Sequence, residues 1–372
     1  MATQFEKTAL TDEQAAFDWI RQSVNLLPSA MERFKRTDIS GAFRYSLSGD
    51  LPQNHWGLGN TCFAVKIHSM LGRQDQLDRE AVSKFINSFQ DSWGALNDPE
   101  IRRRSAFVRF GRAFKHLNFS HWDYRPIERA ETRQAYAALI NLGKKPERPY
   151  RDIPDSISGI QKYIERLNWE NPWSAASHFS HLIFFLKYNQ QLFGILRQEA
   201  PELIRQAFLK LDSLQQKDGS WYAEGISLPD FQKVNAAMKV MLAYETMNSQ
   251  DFKKAESLID LCLSSVNDGH ACNHFNVVCV LYACSRKTDY RQEAIRRYFL
   301  ERLEKFKEHY YPETGGFSFL PGKANTHYYA AKVTRGRKEP DLHGTHLFLW
   351  GIVLISDFLG LRKKLNLQFP IT

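Results

Sequence analysis

Two kinds of helical pattern alternate along this chain. In the first, a turn rich in Gly, Asn, Pro or Trp leads through small or polar residues into a run that is apolar on nearly every side. Such stretches begin at Trp56, Glu131, Asn171, Val234, Asp268 and Pro340, and the last runs on as LFLWGIVLISDFLG from Leu347. A helix that is hydrophobic all round must be buried all round. The second kind has apolar residues at three- and four-residue spacing with charges opposite. It occupies Asp78 to Phe89, Pro99 to Leu117, Ser156 to Leu167, Pro201 to Gln216, Gln250 to Ser264 and Arg291 to Glu308. Helices of this kind cover a core on one side and meet water on the other.

The alternation predicts an all-α protein. Six buried helices interleaved with six amphipathic ones are what an α/α toroid requires, an inner ring of helices inside an outer ring. Residues 1–50 are patterned as a helical segment expected to pack on the outer ring, and residues 51–372 as the toroid domain. No linker rich in Pro, Gly or Ser divides them. Hairpin signals are nearly absent, and GGFSF from Gly315 to Phe319 predicts only a short extended piece.

The segment Leu211 to Tyr222 reads LDSLQQKDGSWY, and Tyr311 to Phe319 reads YPETGGFSF. In the first, Gln215, Gly219 and Trp221 resemble the QxxxGxW repeat of squalene-type terpenoid cyclases. The second resembles the Gly-Gly-Phe turn of protein prenyltransferase β-subunit repeats. The resemblance implies the toroid, and a terpenoid cyclase- or prenyltransferase-like enzyme acting on a hydrophobic, isoprenoid-type substrate in a central cavity. Gly219 in a tight turn, with Trp221 and Gln215 packing the end of one helix against the next, is a structural arrangement. It speaks for fold more than for chemistry.

The chain departs from those families where they do their chemistry. It has no DxDD, whose central acid protonates an alkene in squalene-type cyclases, and no DDxxD run of the kind that binds magnesium–diphosphate. The acids that could replace them are Asp341 and Glu224. Asp341 with His343 is the preferred catalytic pair, because both sit at the start of the most apolar helix, although Asp341 reads equally as an N-cap. The resemblance to prenyltransferases also implies zinc, for which the nearest counterparts are Asp268, Cys272 and His343. Three residues separate Asp268 from Cys272 here, where the family has one.

The starts of the buried helices are polar. Free N–H groups and positive macrodipole ends there favour an anion. Candidate substrate-binding residues are Asn60, His178, Asn235, Lys239, His270, His274 and His346, with Trp221 as a wall. Asn60 and Asn235 read as readily as ordinary caps.

Composition narrows the partners. A net charge of +9 and a pI near 9.2 suit an anionic partner. No nucleic-acid-binding motif surrounds the basic residues, and Arg102-Arg103-Arg104 reads as a solvated helix face. A small hydrophobic or anionic substrate is expected, with peripheral contact at a membrane surface as a further partner. Four of the five cysteines lie between Cys262 and Cys284, which fits reduced thiols in a cytoplasmic protein. No run approaches the ~20 apolar residues of a membrane span. Two other functions suit the same architecture. One is a carbohydrate-active enzyme (hydrolase, epimerase or lyase), for which an open cleft with two carboxylates would speak. The other is a non-catalytic binding or scaffold toroid.

Overall fold

Each patterned stretch forms a helix in the computed structural model, which describes residues 4–115 and 123–372; Leu117 lies outside these, and the helices expected from Glu131 and Val234 begin earlier, at Arg125 and Asp230. The first helix, α1, is Gln4–Phe34. The all-round apolar stretches are α2 (Leu58–Met70), α5 (Arg125–Asn141), α7 (Pro172–Phe193), α9 (Asp230–Thr246), α11 (Ala271–Ser285) and α13 (Leu342–Phe358). The amphipathic ones are α3 (Arg79–Asn87), α4 (Pro99–Lys115), α6 (Ile157–Glu165), α8 (Ala200–Asp212), α10 (Ala255–Ser264) and α12 (Gln292–Lys307). The described chain is therefore all-α, with one two-stranded hairpin, β1 (His327–Tyr328) and β2 (Ala331–Lys332).

Burial follows the pattern except in α4, where Phe107, Phe110 and Phe114, expected to cover the core, are exposed. All thirteen residues of α2 are buried, including Lys66 and His68. In α12 burial is confined to Ile295, Phe299, Arg302, Leu303 and Phe306, a single stripe at helical spacing. The buried helices meet in sequence: α2 packs on α5, α5 on α7, α7 on α9, α9 on α11, α11 on α13, and α13 on α2. α8 lies against α7 and α6, α10 against α11 and α9, α12 against α11 and α13. α1 packs on α12 and α13.

The turn from Gln215 to Trp221 performs the packing role its residues imply. The Gln215 side-chain amide donates to the carbonyls of Gly219 and Lys253, both at 2.8 Å, tying the turn to the start of α10. Lys254 reaches back to the carbonyls of Gln215 and Gln216. Gly219 has φ +85°, and a Cβ there would lie 2.7 Å from Leu258 Cγ and 2.8 Å from the Lys254 carbonyl. Gly219→Ala is therefore expected to destabilise the fold by about 2–4 kcal/mol, from left-handed backbone strain plus a clash with main chain, as read by urea denaturation.

Between Gly315 and Phe319 the backbone makes one isolated bridge, Tyr310 to Phe317, because Gly315 and Gly316 turn it at φ +70° and +92°. The paired strands lie further on, and their two-residue loop, Tyr329-Ala330, holds both residues at positive φ (43° and 65°). Hairpins of this type normally use Asn-Gly, and neither residue signals one. Gly59 makes room for the hairpin, since a Cβ there would sit 2.7 Å from the Tyr328 ring. No helix among the described residues is long and apolar enough to cross a membrane.

Candidate functional site

Apart from α5, which starts after Tyr124 without a side-chain cap, the N-terminal ends of the buried helices fall into two groups. At α2, the N–H groups of Gly57 and Leu58 donate to the Asp98 carboxylate at 2.7 and 3.2 Å. At α13, the Asp341 carboxylate accepts from Gly344 N–H at 2.8 Å. These two ends are closed by carboxylates. The starts of α7, α9 and α11 carry no side-chain cap, although the first N–H of α11, that of Ala271, donates to the Phe319 carbonyl at 2.9 Å. All three converge on one cavity of about 440 Å³.

Asn171, Trp173, Phe231, Asn235, Met238, Lys239, His270, Cys272, Asn273 and Asn276 are in its wall, which contains no carboxylate. Lys239 lies over the Trp173 ring at 5.6 Å from its centroid. Protein surrounds its ammonium, and burial holds its pKa down at about 8. Asn276 donates to Asn235 Oδ1 at 2.7 Å, while its own Oδ1 and His270 Nδ1 have no protein partner in the described residues. His270 stacks on Phe319, with centroids 5.1 Å apart. The cavity thus combines uncapped helix N-termini, one cation, amides with spare hydrogen-bonding capacity and a partly apolar wall. Such a site favours a compact anionic group joined to an apolar body.

More charge lies deeper between the helices. Lys66 of α2 is buried, hydrogen-bonded to Gln134, and its pKa falls to about 7 through desolvation. Arg133 of α5 is buried beside the Phe184 ring; desolvation lowers its pKa to about 10. Its guanidinium donates to the Thr372 carbonyl at 3.0 Å. The charges of Arg133, Lys239 and Glu245 all act on Lys66.

Glu245 belongs to a second cavity, of about 400 Å³, where the C-terminal parts of α9, α11 and α13 meet. It has free surface although protein encloses it, as befits a group in a cavity wall, and desolvation raises its pKa to about 7. Arg286, Asp357 and Arg362 share this cavity, with Asp357 accepting from Tyr282 Oη and Arg362 Nε at 2.7 and 2.6 Å.

Of the residues predicted for the site, Asn235, Lys239, His270 and Cys272 come together in the first cavity. The others are placed elsewhere, each for a visible reason. Asp341 is fully buried, and its two oxygens accept backbone N–H groups from Gly344, Phe319 and Asn325 at 2.8, 2.8 and 2.9 Å. It is a cap that also ties down the 317–325 loop, rather than an acid facing a cavity. His343 lies between the rings of Phe63 and Phe319, both 4.7 Å away, with Nδ1 3.3 Å from Tyr45 Oη. Burial lowers its pKa to about 3, so the imidazole is neutral. Glu224 is exposed in the turn after Trp221, outside both cavities.

Asn60 ties α2 to the N-terminal segment through the Phe43 carbonyl and Asp50. His178 bonds Arg129, and His274 bonds Arg302 at 2.9 Å. His346 is buried between Phe63 and Trp350, and Trp221 is wholly buried core.

The zinc trio does not fit a metal. Asp268 is committed to Arg302 at 2.5 Å, and Cys272 lines the first cavity without Asp268 or His343. Among the described residues no three His, Cys, Asp or Glu side chains are grouped to hold an ion. Asn273, three residues after His270 at the same helix start, also lines the wall. Trp173 stood in the turn that opens the stretch at Asn171, whereas Phe231 and Asn276, which also line the wall, carried no motif. Their grouping depends on which helix ends meet. Compared with protein-family models and with curated proteins, the chain matches none.

Proposed function

We propose that the chain is an α/α toroid resembling terpenoid cyclases and protein prenyltransferases, and that it takes an anion-headed, hydrophobic substrate at the mouth formed by α7, α9 and α11. The contact circuit from α2 through α5, α7, α9, α11 and α13 back to α2 supports the inner ring. α3, α6, α8, α10 and α12 supply the outer one. The observation that carries the substrate class is the cavity at three uncapped helix N-termini, with Lys239 and no carboxylate in its wall. A diphosphate there would meet N–H dipoles and an ammonium, while Trp173, Phe231 and Met238 would face the isoprenoid. Such preorganised positive groups also stabilise charge that develops on a leaving group. This favours group transfer over alkene protonation, because Asp341 is occupied as a cap.

The test is calorimetric titration with farnesyl diphosphate, farnesol and inorganic pyrophosphate. Farnesyl diphosphate is expected to bind the parent protein tightest. Lys239→Met should weaken it about tenfold or more while leaving farnesol nearly unchanged. Absence of farnesyl diphosphate binding to the parent would remove the proposal. The glycan alternative draws on the second cavity, where Glu245 and Asp357 supply two carboxylates. Binding of an oligosaccharide that Glu245→Gln abolishes would favour it.

A further inference from the structure

We propose that α4 is an interfacial helix that seats the protein on an anionic lipid surface. Phe107 on this helix is 86% exposed and Val108 38%, where large apolar side chains are ordinarily withdrawn from water. Phe110 and Phe114 pack ring against ring, with centroids 4.5 Å apart, and still present half their surface (50% and 55%). Positions 107, 110, 111 and 114 follow the i, i+3, i+4, i+7 spacing of one helix face, with glycine at 111. The apolar row is thus continuous and faces outward, whereas α2 and α13 turn theirs inward.

Charge selects the occupant. α4 carries Arg102, Arg103, Arg104, Arg109, Arg112 and Lys115 against the single acid Glu100. Arg102 and Lys115 are exposed toward the two ends of the aromatic row, and Arg103, also exposed, is paired with Glu100. An aromatic stripe flanked by Arg and Lys suits the headgroup boundary of an anionic bilayer, where rings enter the acyl edge and cations meet phosphate. Another protein would complement the stripe but has no need of so basic a helix. A nucleic acid would use the cations and leave the aliphatic Val108 without a role.

Position gives the docking a consequence. α4 packs on β2, the second strand of the hairpin whose tip is Tyr329-Ala330. Tyr328 of this hairpin sets its ring edge-on to Phe63 of α2, at 5.9 Å between centroids, and against Gly59. A lipid surface under α4 therefore lies beside the hairpin that reaches into the helix circuit. Docking itself rests on α4 alone, and only its use in delivering an apolar substrate rests on the proposed function.

Co-sedimentation of the full chain with large unilamellar vesicles tests this. The parent is expected to sediment with phosphatidylcholine vesicles containing 30% phosphatidylserine, and about tenfold less with pure phosphatidylcholine or at high salt. Phe107→Ser with Val108→Ser should cut the anionic-vesicle binding by about tenfold or more, with an unchanged circular dichroism spectrum and unchanged farnesyl diphosphate titration. Lys115→Glu should weaken it to a smaller extent. The proposal is overturned if the parent ignores anionic vesicles, or if the double variant binds them as the parent does. Self-association abolished by the double variant, or binding to a duplex oligonucleotide, would overturn it equally when vesicles are not bound.

Discussion

Replacing Asp341 with alanine is expected to destabilise the protein by about 4 kcal/mol or more, without altering how the folded fraction binds ligand. The carboxylate receives three backbone N–H groups in a fully buried position. Its removal leaves those donors unsatisfied, at roughly 1–3 kcal/mol each before relaxation. Urea denaturation measures the loss. A variant of parental stability that fails to bind or turn over substrate would instead return Asp341 to the chemistry.

The same residue has a pH signature. Burial raises its pKa from 3.8 to about 6, against the lowering effect of its backbone hydrogen bonds. The folded state then holds the proton more tightly than the unfolded one, so the contribution of Asp341 to stability falls as pH rises from about 4 to about 6. Measured against Asp341→Asn, which does not titrate, the parent's relative stability should decline across that window by up to about 3 kcal/mol.

Trp221→Ala is the second large effect, expected at about 3–5 kcal/mol because a wholly buried indole is deleted from between helices. The indole N–H has no hydrogen-bond partner among the described residues. Trp221→Phe should therefore recover most of that loss, since it keeps an aromatic filler and removes no bond. Thermal denaturation of the two variants separates packing from any polar role. If phenylalanine were as damaging as alanine, Trp221 would have a function beyond filling space.

The element order was legible in the sequence, since helices apolar on all sides and helices apolar on one stripe carry different periodicities. The short hairpin at His327–Lys332 was not, because Tyr329 and Ala330 adopt positive φ without the residues that advertise it. Lys239 and His270 could be singled out because polar groups in an apolar stretch are conspicuous, although α9 begins nine residues before Lys239. Asp341 and Asp268 were conspicuous in the same way, yet their partners are a backbone loop and Arg302, both distant in sequence. From one chain position, a cap and a catalytic acid look alike.

By itself, then, the sequence determined which segments are helical, which faces are buried in the helices other than α4, and that the turn from Gln215 to Trp221 holds helices together. Those properties follow from local periodicity and backbone preference. Only the tertiary structure decided that Asp98 and Asp341 close two helix starts while α7, α9 and α11 open theirs onto a shared cavity. It also turned the aromatic row of α4 outward. Both outcomes depend on which distant groups meet, and the electrostatic and solvation terms that make a site arise only from that meeting.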